Sequence, residues 1–513
     1  MRYILYLVFV NTPSLTREQC YAIYDRGREE TVDFILSLLT TLASVQEKIA
    51  MMQEQIVSLT DKIEKLETRN RELESQIGKD SHNSHKPPSS DGLKRVIKSN
   101  RTNSNKPPGG QNGHRGTTLK MIETPDHVVT HSVTECATCG CHLHRVTPRA
   151  IRRRQVFDLP PLRVETTEHR VEEKECPRCG SKNAAPFPDG VTKAAQYGAQ
   201  LKTITLILGH YQLTPSKRLR EALLDLSGCA ISEGSIYNWS RELHGSLEKT
   251  EKTIKEQIRA SKVIHADETG VYRDVKLHWL HVASTEKLTS YALHAKRGRE
   301  AIDAIGILPG CQGTVIHDCW SPYFHYPFKH GICNAHILRE LTFAHEEDNQ
   351  IFAQQLKTLL LRILKTVKRA RERRCTSISP ATIRAYEQGY DSCLALGLRD
   401  NLRSGGTPNK RGRPKQTKTY NLLERLRLHR DIVLAFMYDF EIPFTNNLAE
   451  RDLRMFKVKQ KISGTFRSPE GAAIFCRVRG YISTARKNGV QLVSAVKNAL
   501  EGHPFTPTLN YAE

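Results

Sequence analysis

Between Ile35 and Ile77 apolar side chains recur at alternating gaps of three and four residues. One series runs Ile35, Leu42, Ile49, Ile56, Ile63, Asn70 and Ile77, and the other Leu38, Val45, Met52, Leu59, Leu66 and Leu73. This seven-residue repeat predicts a coiled coil over residues 35–79. Ile in the first series with Leu in the second favours two parallel strands, and Asn70 in the seam fixes register at some cost in stability. Lys62 then faces the partner's Glu67, and Arg69 faces the partner's Glu74. The competing reading is an amphipathic helix packed on its own chain, and a stretch this long without Gly or Pro counts against it. A homodimer is expected.

The periodicity ends near residue 80. Residues 80–125 carry Lys86-Pro87-Pro88, Lys106-Pro107-Pro108-Gly109-Gly110 and many Ser and Asn, a basic linker too poor in apolar residues to fold alone. It either neutralises phosphates along a duplex or is merely solvated. Residues 126–190 hold two matching pairs, Cys136-x-x-Cys139 and Cys176-x-x-Cys179, each followed by glycine. Two thiolates on a tight turn grip one side of a tetrahedral ion, and a second such turn completes the shell, so a structural Zn²⁺ in a zinc-ribbon-like domain is expected. Cys141, His142 and His144 lie close enough to substitute for a ligand, and Arg163–Val171 is strand-like. Residues 195–250 read as helices: Gln200–Tyr211, closed by Pro215, then Lys217–Leu226, a turn at Gly228, and a helix capped by Ser232. This is the pattern of a helix-turn-helix in which Ser235, Tyr237, Asn238 and Arg241 face a major groove. Any small helical domain offers two such helices.

Residues 255–490 change period again. Short apolar runs at Lys262–Ala266, Leu277–Ala283 and Ser290–His294 predict strands, followed by a helix over Arg299–Leu308 and a strand at Thr314–His317. Asp267 follows the first run, Asp318 the last, and Glu450 opens a helix after Pro443, with Arg451 and Arg454 on neighbouring turns. Three strands, a helix and a fourth strand form the order of an RNase H-like α/β core, with the two aspartates side by side on central strands. A helical insertion is expected at about 341–440, and residues 491–513 are taken as a tail. Within the insertion, Arg411 and Arg413 sit in an Arg-Gly-Arg-Pro segment that fits an A·T minor groove or is a plain basic loop. Three carboxylates suit phosphodiester cleavage, because two Mg²⁺ ions, or Mn²⁺ in their place, need hard oxygen ligands. The fold class is multidomain α+β.

Charge changes the picture by naming a partner. Lys and Arg number 77 against 55 Asp and Glu, a formal net charge of +22 that points to polyanions such as double-stranded DNA. From Glu450 to Lys487 ten bases stand against three acids, a face fit to track phosphates. Thirteen cysteines at irregular spacing argue for a reducing compartment rather than a disulfide framework. The longest apolar run, Tyr3–Val10, is short of the roughly 20 residues that span a bilayer, so no membrane is expected. Residues 1–34 read as a dispensable leader and a short helix.

Several segments resemble the transposases of the insertion sequence 66 family: His265-Ala266-Asp267-Glu268-Thr269-Gly270, His317-Asp318-Cys319-Trp320-Ser321-Pro322-Tyr323, Cys333-Asn334-Ala335-His336 with Leu338-Arg339-Glu340-Leu341, and Pro443–Arg454 running on to Ser468. The likeness includes the Lys-Pro-Pro linker and both cysteine pairs, and so covers most of the chain from about Leu15. It implies that Asp267, Asp318 and Glu450 are the acidic triad of a DDE transposase. Such an enzyme cuts the element's ends with water and joins the freed 3′ hydroxyl to target DNA. It further implies small accessory proteins from the same element, assembly as a homodimer or higher oligomer, and a cytoplasmic, nucleoid-associated place in bacteria. Cys333 and His336 are expected to be structural. The chain departs from the pattern in its apolar first ten residues and in lacking an extra C-terminal tail. The competing readings are a non-enzymatic DNA-binding regulator and a nuclease without strand transfer.

Overall fold

The computed structural model describes residues 16–77, 79, 83–84, 113, 118–402 and 416–508. It divides into two compact units, Met1–Asp80 and Ser81–Glu513. In the first, α1 (Arg17–Tyr24) starts at a capping box in which Thr16 and Gln19 satisfy each other's backbone N–H groups. α2 (Arg28–Ile77) follows as one unbroken helix. Its seam is solvent-facing: Ile35 is 50 % exposed and Ile63 55 %. Residues 1–10 lie outside the described residues.

The structure adds one feature to this helix. Part of Arg28–Glu67 is long and apolar enough to cross a membrane by length and composition. A search for unbroken apolar runs misses it because Ser37, Thr40, Thr41 and Ser44 interrupt the stretch without adding charge. Thr40 and Thr41 donate their hydroxyls to the carbonyls of Leu36 and Ser37, which internally satisfies these groups.

In the second unit, β1 (Glu173–Glu175) pairs antiparallel with β2 (Lys182–Ala184), bracketing the second cysteine pair. The strand expected at 163–171 is absent. Val164 is exposed there, and alternation without a pairing partner does not make a strand. Next come α3 (Ala199–Leu206), α4 (Ser216–Ser227), α5 (Glu233–Ser246) and α6 (Glu248–Arg259). α3 runs into a π-helical turn at Ile207–Tyr211. Its carbonyls at His210 and Tyr211 accept from the buried Arg479 guanidinium, which compensates the widened turn.

The sheet consists of β3 (Val263–Arg273), β4 (Lys276–Ser284), β5 (Thr289–His294), β6 (Thr314–His317) and β7 (Lys329–Ile332), in the order β5-β4-β3-β6-β7. β3, β4 and β5 are an antiparallel meander, while β6 lies parallel to β3 and β7 parallel to β6. α7 (Arg299–Ile305) connects β5 to β6. β3 runs beyond Asp267 to Arg273, so the acid stands mid-strand rather than at a strand end. Asp-Glu-Thr-Gly reads locally as a turn, but pairing with β4 carries the strand through it to a hairpin at Asp274 and Val275.

The insertion comprises α8 (Asn334–Glu346), α9 (Ile351–Glu372), α10 (Pro380–Asp400), α11 (Lys418–Leu428), α12 (Arg430–Val433) and α13 (Ala435–Tyr438), around its own core of Phe352, Leu356, Leu360, Tyr390 and Leu423. α14 (Asn447–Ser463) and α15 (Pro469–Lys487) then cover the sheet, burying Ala449, Phe456 and Phe475 against Val271, Leu280 and Tyr291. Where α15 meets β5, a Cβ at Gly480 would come within 3.1 Å of the Thr289 carbonyl oxygen, so the close approach favours glycine. α16 (Leu492–Leu500) lies in the stretch expected as a tail, yet Val496 and Ala499 share a core with Leu219, Trp239 and Leu243 of α4 and α5 and Val478 and Ile482 of α15. The helices after residue 195 are therefore fused to the C-terminal helices by one apolar cluster.

Candidate active site

The β3–β6 register pairs Val263 with Thr314, Ile264 with Val315 and His265 with Ile316. Continued by two residues, it sets Asp267 opposite Asp318, one position past the end of β6. The turn after Asp318 is unusual: Cys319 has φ +67°, a left-handed conformation that non-glycine residues seldom adopt. It is held by the buried His317, whose Nδ1 accepts the Cys319 N–H at 3.1 Å, leaving Nε2 to donate to His330 Nδ1 at 3.1 Å. Burial drives the His317 pKa down to about 3, so the ring remains neutral and can accept that hydrogen bond. The Asp318 carboxylate accepts the Trp320 N–H at 3.1 Å, which fixes its orientation.

Glu450 reaches the same edge through Asn446. This side chain is 1 % exposed; its Nδ2 donates to the Ala266 carbonyl at 2.8 Å and its Oδ1 accepts from His265 Nδ1 at 2.9 Å. Its backbone N–H donates to Cys333 Sγ at 3.1 Å, and Asn334 N–H donates to the Phe444 carbonyl at 3.0 Å. The segment opening α14 is thus stitched to β3 on one side and to the start of α8 on the other. Glu450 sits in the first turn of α14, where a helix N-terminus favours negative charge.

The electrostatics reveal how crowded the acids are. Burial, then Glu268, Asp318 and Glu450, push the Asp267 carboxyl well above its ordinary range, against one hydrogen bond from the Glu268 N–H at 2.8 Å. Glu450 is displaced the other way: His336 beside it, then Arg339 and Arg454, hold its carboxyl below the ordinary value in spite of burial. His336 Nε2 is 3.3 Å from Glu450 Oε1, an ion-pair distance, and Oε1 is buried without a hydrogen bond. A buried Asp267 carboxyl whose proton affinity is raised by neighbouring acids is the arrangement a bound cation would relieve, and all-oxygen donors suit a hard divalent ion.

Glu268 was not anticipated from sequence. Burial raises its carboxyl above the usual range. It accepts from Tyr323 Oη at 2.5 Å and from Arg297 Nε and Nη2 at 3.0 and 2.8 Å. Arg297 in turn lies between two indoles, 4.8 Å from the Trp279 ring centre and 4.1 Å from that of Trp320. Trp320 follows Asp318 by two residues, so this stack braces the aspartate's turn. Glu268 directly follows Asp267 and Trp320 comes two residues after Asp318, but only the fold shows that these side chains meet.

Residues 194–474, more than half of the chain, match the Transposase IS66 family. The chain belongs to that family. Residues 40–120 match a family of unknown function (DUF6444), and no curated protein matches. The match to the transposase family spans Asp267, Asp318 and Glu450 and ends within α15.

Away from the acids, the other expected residues are placed unevenly. Each cysteine pair forms the same knuckle: Cys136 N–H donates to the Cys141 carbonyl and Gly140 N–H to that of Cys136, while Cys176 N–H donates to Ser181 and Gly180 N–H to Cys176. Hydrogen bonds from Cys139 and Thr138 hold the Cys136 thiol below its usual range, and those from Ser181 do the same for Cys179. The four thiols do not gather into one shell; among the described residues the one three-ligand group is Cys333, His336 and Glu450. On α5, Tyr237 Oη donates to Glu470 Oε2 at 2.8 Å and Arg241 Nε lies 2.8 Å from Glu470 Oε1, so two of the four groove-facing candidates are engaged by α15. Ser235 bonds the capping Ser232, and Asn238 is exposed. Arg451 and Arg454 are exposed on α14, and Arg411 and Arg413 lie outside the described residues.

Proposed function

We propose that this chain binds the ends of an insertion sequence as a dimer and catalyses metal-dependent strand cleavage and strand transfer on an RNase H-like core. The observation that supports the reading is the β3–β6 register, whose continuation by two residues would set Asp267 beside Asp318, together with the Asn446 tie from the start of the Glu450 helix to β3. Asp267, Asp318 and Glu450 would hold two Mg²⁺ ions, or Mn²⁺, which when bound stabilise charge on the attacking and leaving oxygens of an in-line displacement. The protein's own share is positional. Asn446 and His265 hold the Glu450 helix, His317 fixes the Asp318 turn, and Arg451 and Arg454 offer cations to flanking phosphates. Asn238 and Ser235 face DNA from the helix-turn-helix, with Tyr237 and Arg241 joining once Glu470 releases them. Arg411 and Arg413 add a basic arm.

The deciding experiment incubates the purified chain and Mg²⁺ with a DNA fragment carrying an element end and a supercoiled target. Nicked ends together with joined product support the reading; nicks alone make the protein a nuclease, and binding alone a regulator.

Two further outcomes follow. The knuckles supply half-sites for a structural Zn²⁺, which would draw Cys136, Cys139, Cys176 and Cys179 into one shell. Residues 118–196 contribute nothing to the apolar clusters of the helices and sheet. Cys176→Ser should therefore remove about one zinc per chain, by metal analysis, while the main thermal transition stays in place. On α2, the exposed seam is assigned to a second copy. Replacing Ile56 and Leu59 together by Asp should convert the dimer to a monomer in sedimentation velocity, because unpaired carboxylates cannot be buried at the interface. A detergent-dependent, membrane-pelleting chain would instead favour the bilayer option that the composition of α2 leaves open.

A further inference from the structure

We propose that Cys333, His336 and Glu450 form a second metal site, selective for a thiophilic divalent ion such as Zn²⁺, and that filling it withdraws Glu450 from the acidic set and silences the enzyme. The silencing rests on the proposed function; the metal site itself does not.

The geometry is already close to what such an ion requires. One ligand atom from each of the three residues lies within 4.8 Å of the others. His336 Nε2 and Glu450 Oε1 are 3.3 Å apart. Two bonds of about 2.0–2.1 Å meeting at a tetrahedral angle span about 3.3 Å, so this separation already equals the edge of a zinc tetrahedron. The Glu450 oxygen is buried with no hydrogen bond beyond its 3.3 Å contact with His336 Nε2, and the ion would bind between these two atoms.

The platform beneath it is built by the backbone. Cys333 is the N-cap of α8, and the His336 N–H returns to the Cys333 carbonyl at 3.1 Å, a turn that presents thiol and imidazole on one side. Asn446 N–H donates to Cys333 Sγ, the kind of second-sphere contact that orients a metal-bound sulfur. Asn334 Nδ2 pins the same turn to the Val433 carbonyl at 3.1 Å. Cys333 is fully buried, while the side chains of His336 and Glu450 are 16 % and 27 % exposed, so an ion can enter from their side and keep a water as its fourth ligand.

Donor chemistry decides which ion. One sulfur, one nitrogen and one carboxylate oxygen form a set for zinc and a poor one for Mg²⁺, which demands oxygen and an octahedron. Asp267 and Asp318 make the opposite choice, so Glu450 stands between a hard site and a soft one. A carboxylate drawn toward the thiolate side no longer completes the hard site. Zinc then acts as a brake that Mg²⁺ does not relieve by mass action alone, since N/S donors bind zinc far more tightly.

The test uses the full chain as wild type, Cys333→Ser and His336→Asn. Each is exposed to Zn²⁺, desalted and assayed for bound zinc by mass spectrometry; the knuckle cysteines are identical in all three, so only the difference matters. Wild type is expected to retain about one equivalent more than either variant. In Mg²⁺-supported end cleavage, with each protein normalised to its own zinc-free rate, the half-inhibiting Zn²⁺ concentration should rise at least about tenfold in both variants. Equal zinc in all three proteins overturns the site. A zinc difference with unchanged inhibition overturns the brake and leaves the site. Absence of any Mg²⁺-dependent cleavage would sink the transposase reading while the zinc difference still reports on the site. Should Cys333→Ser fail to fold by circular dichroism, His336→Asn, at a partly exposed position, decides the matter.

Discussion

Asp267→Asn is expected to lower end cleavage and joining about a thousandfold, the scale of losing a preorganised charge-stabilising group, while leaving affinity for element-end DNA unchanged in a gel-shift assay. The same substitution should make the metal-free protein more stable. The Asp267 carboxyl is pushed well above its ordinary value by burial and by Glu268, Asp318 and Glu450. The folded chain therefore binds this proton more tightly than the unfolded chain does. Stability then falls as pH rises from the ordinary carboxylate range up through the raised folded value, and the full cost is present above it. Asparagine carries no such charge, so the melting temperature of the variant should exceed that of wild type by a margin that grows from acid to neutral pH. Mg²⁺ should close the gap by stabilising wild type and should do little for the variant. Equal melting curves across pH, or undiminished joining by Asp267→Asn, would show that the acids do not converge.

The sequence carried what depends on short spacing. The unbroken helix of α2, the glycine-closed cysteine knuckles, the cap at Ser232 and the β6 run at 314–317 all rest on local rules, and each appears where those rules put it. Local reading failed where pairing at a distance overrode it. The Asp-Glu-Thr-Gly segment is strand because β4 lies beside it, and Arg163–Val171 is not because nothing does. β7 is too short and too polar, Lys-His-Gly-Ile, to signal itself without β6 as its neighbour. The same holds at the site. The three acids could be named from the segments that resemble the family, but Glu268 with Arg297, a guanidinium between two indoles, and Glu470 on Tyr237 join residues 29 and 233 positions apart. No periodicity encodes such pairs. A hint was present in His317 and Asn446, polar residues set in apolar or turn surroundings beside an acid, because a buried polar side chain needs a partner and so marks a constrained place.

Asn446→Ala is expected to cost about 3 kcal/mol of stability, whereas Asn447→Ala next to it should stay within about 0.5 kcal/mol. The two residues are chemically identical neighbours, yet Asn446 is 1 % exposed and Asn447 is exposed at the first turn of α14. Removing the Asn446 amide strands two buried groups at once, the Ala266 carbonyl and His265 Nδ1, neither of which can reach water without opening β3. The loss also frees the start of α14 from the strand that bears Asp267. Because Glu450 is four residues further on, activity should fall by more than the folded fraction accounts for. A denaturant melt gives the first quantity, and a cleavage assay on protein verified as folded gives the second. Asn446→Asp separates the two causes: it keeps an acceptor for His265 but cannot donate to Ala266, and it adds a further acid to the cluster, so it should be at least as damaging as alanine. If alanine at 446 were as mild as at 447, the stitch from α14 to β3 would not be what holds Glu450 in place, and the convergence of the three acids would need another cause.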